Sequence, residues 1–157
     1  TPTSSEVMWA QFFADCGVDL VIGTHPHVVQ PVMEVEGKNG NKTLCVYSLG
    51  NFAAEQAYDY NMVGGMISFD LVQIANTEPH LENVVFTPTV FHFNASFTSN
   101  RIYPMDEYTP ALAAAHGVRA AYKHAFDYDR LVKYAKDTIS DEFLPETMKE
   151  EQKHDAA

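Results

Sequence analysis

Apolar and polar positions divide this chain into a helical opening, a strand-rich middle and a helical close. Thr3-Ser4-Ser5-Glu6 is a capping-box pattern, a hydroxyl three residues ahead of a carboxylate, and predicts a helix over residues 4–16. Ser4, Gln11 and Asp15 fall on one narrow stripe of that helix. Val7, Met8, Trp9, Phe12 and Phe13 cover the rest, so the helix is expected to be mostly buried. Gly17 suits its C-terminal stop. Val18-Asp19-Leu20-Val21-Ile22 is a nearly continuous apolar run, the kind of strand covered on both faces. A helix followed at once by such a strand is the unit of layered α/β folds.

The middle of the chain alternates. Strands are predicted over residues 30–36 and 42–49, joined by a turn around Asn39-Gly40, a strong hairpin dipeptide. Gly50-Asn51-Phe52 ends the second strand, and residues 53–61 read as a polar, tyrosine-bearing loop. Ile67, Phe69 and Leu71 alternate with Ser68 and Asp70 within a strand over residues 62–75. Another follows over residues 81–93, in which Pro88 argues for an edge position or a bulge. A short extended piece over residues 101–105 precedes helices over residues 108–116 and 127–139, and the charged residues 146–157 are expected to fray.

Composition narrows the function classes. With 46% hydrophobic and 12% aromatic residues, 157 residues can bury a real core. The net charge of −11, without any dense Lys/Arg cluster, argues against nucleic acid as a partner. Two cysteines make no disulfide framework, and Cys16 and Cys45 both read as core residues. No apolar stretch approaches the roughly 18 residues of a membrane span. Phosphate-loop, dinucleotide and nucleophile-elbow motifs are absent.

The chemistry concentrates in Gly23-Thr24-His25-Pro26-His27-Val28-Val29-Gln30-Pro31, directly after the first strand. Strand ends are where α/β proteins gather catalytic groups and ligands. Pro26 restricts His25, which is expected to be extended. In an extended segment His25 and His27 point the same way. Their imidazoles would then share a pocket suited to zinc, iron, manganese or nickel, or to a phosphate. The plainer alternative has His25 capping a loop and His27 hydrogen-bonded in the core. Gly23 would allow a sharp turn. Elsewhere, His92 reads as a hydrogen-bonded strand residue and His116 as a cation at a helix C-terminus. Tyr58 and Tyr60 could wall a ligand pocket.

Gly17-Val18-Asp19-Leu20-Val21-Ile22-Gly23-Thr24-His25-Pro26-His27-Val28-Val29-Gln30 resembles the GADxVIGxHPHVxQ signature of the CapA/PgsA-type bacterial capsule proteins, which are associated with poly-γ-glutamate synthesis or export. Val46-Tyr47-Ser48-Leu49-Gly50-Asn51-Phe52 is similar to that family's YSLGNF, and Val85-Phe86-Thr87-Pro88-Thr89 to its FxPT element, in the same order and spacing. The family is related to calcineurin-like metallophosphoesterases. The resemblance therefore implies an α/β fold, the C-terminal half of a four-layer α/β/β/α sandwich, with a C-terminal helical extension. Residues 1–105 would be the domain portion, 106–145 the extension and 146–157 the tail.

By that resemblance His25 and His27 are each the ligand of one of two divalent metal ions (manganese, zinc or iron), and they are the groups on which catalysis would turn. Asn51 would lie beside them, bonding a ligand or phosphate, unless it is simply a turn residue after Gly50. The superfamily draws its other ligands from an earlier half that this sequence does not contain. Two ligands fall short of the roughly three, plus an open position, that catalytic sites use, so the chain alone is expected to be inactive. The implied partners are the first half of the domain or a second copy of the chain, and the polyglutamate synthesis machinery at the membrane. The implied place is the bacterial cell surface, with an anchor outside this sequence. The functions to weigh are capsule or poly-γ-glutamate biosynthesis, metal-dependent phosphoester hydrolysis, and a non-enzymatic surface component with a vestigial site.

Overall fold

A computed structural model describes residues 1–54 and 56–149. Helix α1 spans Ser4–Asp15. The Thr3 hydroxyl accepts from the Glu6 N–H at 3.3 Å while the Glu6 carboxylate accepts from the Thr3 N–H, completing the capping box. Gly17 takes φ +80°, the left-handed stop that glycine favours. Three strands follow, β1 (Leu20–Ile22), β2 (Val29–Glu36) and β3 (Lys42–Leu49). They form one sheet in the order β1-β3-β2, with β1 parallel and β2 antiparallel to β3. The predicted hairpin is present, turning through Gly40 at φ +78°.

The second sheet contains β4 (Val63–Val72), β5 (His80–Phe93) and β6 (Asn100–Pro104), antiparallel in that order. Pro88 lies in the central strand rather than in an edge strand. It is tolerated because the pairing with β6 begins one residue later, at Thr89 opposite Pro104, so Pro88 has a strand on one side only. Helices α2 (Pro110–Ala115), α3 (Gly117–Ala121) and α4 (Tyr128–Thr138) close the described chain, α3 being one the sequence pattern did not predict. Of the residues expected to fray, 146–149 are described, with Met148 buried, and 150–157 lie outside the described residues.

One core joins both sheets to the C-terminal helices. Val32, Leu44 and Val46 from the first sheet meet Phe86 and Val90 from the second and Leu131 from α4. The molecule is thus mixed α/β, with two small sheets and few helices.

The first helix departs from expectation. Only Ala10 and Ala14 are buried, Ala10 against Cys45 and Tyr47 of β3 and Ala14 beside the hairpin turn, where its carbonyl accepts from Asn41 Nδ2. Val7, Met8, Trp9 and Phe12 are 49–61% exposed. Alanines allow the helix axis close to the sheet, and the bulky side chains then project outward. Strand β1 departs too. It is three residues long and occupies an edge, with Ile22 exposed, instead of being covered on both faces. Cys45 is buried and Cys16 exposed, both as free thiols. Burial pushes the Cys45 thiol up to about 11, which makes it inert at neutral pH.

Candidate functional site

The strand order dictates the site. The chain leaves β1 on one flank of β3 and returns as β2 on the other, so residues 24–28 must cross over the end of β3. Gly23 still pairs with β3, its N–H donating to the Val46 carbonyl at 2.7 Å. A Cβ at this position would lie 2.1 Å from the Tyr47 carbonyl oxygen. The glycine therefore serves close backbone approach rather than the expected turn.

The turning falls to the histidines. His25 has φ +99° and His27 φ +59°. This corrects the extended conformation expected from Pro26. A following proline disfavours the right-handed helical region without choosing among the rest, and here the crossover chooses. Two non-glycine residues with positive φ flanking one proline mark stored backbone strain of the kind found at functional sites. The rings still come together, with centroids 6.1 Å apart.

Asn51, just past the end of β3, lies beneath the crossover and is buried at 6% exposure. Its Nδ2 donates to the Asn61 carbonyl at 2.9 Å and to the His27 carbonyl at 3.2 Å. Two carbonyl acceptors fix the orientation of the amide, because a flipped carboxamide would set oxygen against oxygen. Asn51 Oδ1 therefore faces His27 Nδ1 at 2.8 Å and must receive a proton from it. Neutral His27 is held as the Nδ1–H tautomer, leaving the Nε2 lone pair as its ligating atom. An acceptor on the far nitrogen is the usual outer support of a metal-binding histidine. The structure thus brings His25, His27 and Asn51 together, and it engages the whole Asn51 amide in holding His27.

Asn61, which sequence reasoning missed, completes the clamp by donating from Nδ2 to the His27 carbonyl at 2.9 Å. It sits in a 3₁₀ turn, Asp59–Met62, inside the tyrosine loop. Its one signal was a polar residue in that loop. Tyr58 and Tyr60 stack on each other with ring centroids 5.3 Å apart, and Tyr58 also meets His124.

The fit to metal is partial. His27 has the donor atom and the outer support that a ligand needs, and His25 is an exposed second imidazole nearby. Among the described residues, no three His, Cys, Asp or Glu side chains converge to hold an ion. Two imidazoles supply part of a coordination sphere, and the remaining ligands would have to come from elsewhere.

A second histidine cluster lies apart from this site. His116 is 1% exposed, stacked on Phe126 at 3.8 Å. Its Nε2 donates to the Phe91 carbonyl at 2.9 Å, and its Nδ1 accepts from the Val118 N–H at 3.1 Å, capping α3. Burial pushes its imidazole down to about 4, so it is neutral and not the expected helix-terminal cation. His92 hydrogen-bonds the Tyr108 hydroxyl at 2.7 Å, as expected of a strand residue.

This segment is similar to bacterial capsule synthesis proteins. Residues 1–56, which contain His25, His27 and Asn51, match the family described as "Bacterial capsule synthesis protein PGA_cap". The chain is also similar to the "PGA biosynthesis protein CapA" of Bacillus subtilis (strain 168), at 33% identity over 70 residues. That match covers 45% of this chain and 17% of the length of the Bacillus protein. No solved structure matches the chain.

Proposed function

We propose that the chain serves capsule or poly-γ-glutamate biosynthesis as part of a CapA-type domain at the bacterial cell surface, and that His25 and His27 contribute to a divalent-metal pocket there. The observation that carries this reading is a coincidence of two independent facts. The segment that matches the capsule family is also the segment that builds the strained, clamped His27. The related fold reading, half of a metallophosphatase-like sandwich, draws support from the two sheets sharing a core and from the histidines at the end of a parallel strand.

The rest of such a domain has a place to dock. A parallel edge strand is ordinarily covered, and β1 is open beside the exposed apolar face of α1. A partner strand on β1 with cover over Trp9 and Phe12 would bring further ligands toward the end of β1, where His25 and His27 wait. No helix among the described residues is long and apolar enough to cross a membrane.

The test is made in the bacterium that carries the gene, with His25→Ala/His27→Ala in the full-length protein. Surface poly-γ-glutamate should fall sharply while the protein stays at its normal level. Unchanged polymer at normal protein level would sink the functional reading. Hydrolysis of a generic phosphodiester by the purified full-length protein would point instead to a phosphoesterase.

A further inference from the structure

Helix α4 reaches the His27 segment from a great distance along the chain. The Tyr134 hydroxyl donates to the Val29 carbonyl at 3.1 Å, across 105 residues of sequence, and Val29 is two residues beyond His27. One turn earlier on the same helix, Arg130 pairs with Asp59 at 2.9 Å. The Asp59 side chain is 10% exposed, so the ion pair is partly desolvated on the acidic side. Asp59 opens the 3₁₀ turn that carries Asn61, and its other oxygen accepts from the Tyr60 N–H at 2.9 Å, which locks the turn. Tyr60 also rests against Tyr134, with ring centroids 6.5 Å apart.

These contacts converge. Asn61 holds the His27 carbonyl, and Val29 fixes the chain just after it. Left-handed backbone at a non-glycine residue persists only where its surroundings over-determine it. Asn51 supplies one constraint from the end of β3, and α4 supplies two more, one at the His27 carbonyl through the Asp59 turn and one just after it at Val29.

We infer that Arg130 and Tyr134 are positioning residues for His27: through Asp59 and through the Val29 carbonyl, α4 holds the backbone that keeps His27 on the Asn51 oxygen with Nε2 presented outward. This rests on reading His27 as a ligand-binding residue. It also assigns a role in the site to a part of the chain outside residues 1–56.

The test uses the whole chain, ¹⁵N-labelled, with imidazole ¹⁵N–¹H spectra at pH 7.5 reading the tautomer of each histidine. The variants are Arg130→Gln, Tyr134→Phe and the two combined, with Lys133→Gln on the same helix as control. The parent and the control should show His27 as a single Nδ1–H tautomer. In the double variant His27 should average between tautomers while His116, remote from α4's contacts with the loop, keeps its Nε2–H signature. An unchanged His27 in the folded double variant overturns the inference, as does a parent His27 that already samples both tautomers. If the double variant loses the His116 signature and has therefore unfolded, Tyr134→Phe alone decides, since it removes one hydroxyl and keeps the ring. Zn²⁺ titration separates this result from the metal reading. A parent that binds zinc should lose about tenfold in affinity in the double variant; a parent that binds none means that the pocket needs the ligands expected from elsewhere, and the tautomers then decide the positioning by themselves.

Discussion

His27 and His116 are both hydrogen-bonded histidines, yet they are held in opposite ways. His116 is enclosed by Phe126 and Phe93, donates from Nε2 and accepts at Nδ1, and has no ring atom left over. His27 donates from Nδ1 to Asn51 and keeps Nε2 uncommitted at an exposed crossover. The tautomers are opposite, and so is the backbone. His116 sits at φ −64°, an ordinary helix N-cap, while His27 is at φ +59°. Both nitrogens of His116 are satisfied in a relaxed backbone, whereas His27 combines a left-handed backbone with one nitrogen directed away from its clamp, the contrast on which the proposed metal pocket rests.

The sharpest test of that contrast is acid. Burial lowers the folded His116 to about 4 from an ordinary 6.5. Between those values the unfolded chain takes up a proton that the native chain does not. Stability is therefore fully present above about pH 6.5 and is lost as pH falls toward 4, by up to about 3 kcal/mol from this group. Denaturant unfolding of His116→Gln against the parent should show lower stability at pH 7.5, by about 2 kcal/mol for the lost cap and buried bonds, and a shallower acid limb. Parallel acid limbs would mean that His116 already carries a proton in the fold.

Asn51→Ala comes next. It strands the buried Asn61 carbonyl and frees His27 Nδ1, at a cost of about 1–2 kcal/mol in chemical unfolding. His27 should then sample both tautomers, with His116 unaltered. A His27 still locked would place the lock elsewhere than on the carboxamide. His25→Ala should be the mildest of the three, within about 0.5 kcal/mol of the parent. A loss of several kcal/mol in thermal or denaturant melts would make His25 a structural histidine and collapse the distinction at that position.

Much of this was legible in the sequence wherever the signal was local. The Thr3/Glu6 box, the hairpin at Gly40 and the alternation of β4 each depend on residues a few positions apart; the first two are present, and the alternation holds from Ile67 to Phe69 but not at Leu71, which is exposed beyond a register shift. The burial of α1 was not legible, because apolar residues on several sides of a helix do not say which side meets the sheet. The two alanines settle it by allowing the closest approach. At the site, the motif residues His25, His27 and Asn51 do come together, but their conformation was misread, because Pro26 excludes one backbone region while the path over β3 selects another. Asn61, Arg130 and Tyr134 could not have been found from spacing. The contact from Tyr134 to Val29 spans two-thirds of the chain and depends on how α4 settles against β2, which periodicity does not encode.

Besides their shared core, the two sheets are linked among the described residues by a backbone bridge between Gly50 and Gly64. A Cβ on Gly64 would lie 2.1 Å from the Asn51 carbonyl oxygen, and Gly50 stands at φ +67° with the Val63 carbonyl oxygen 2.8 Å from any Cβ added there. Main chain meets main chain at this seam, with no side chain between. The spacing of Asn51 from the second sheet is thus set by direct backbone contact at this bridge, with core side chains acting on it only through the strands that carry them. Methylene-sized drift at Val46, Phe86 or Leu131 should alter how firmly the protein folds more than it alters the span of the carboxamide clamp, which a main-chain seam buffers.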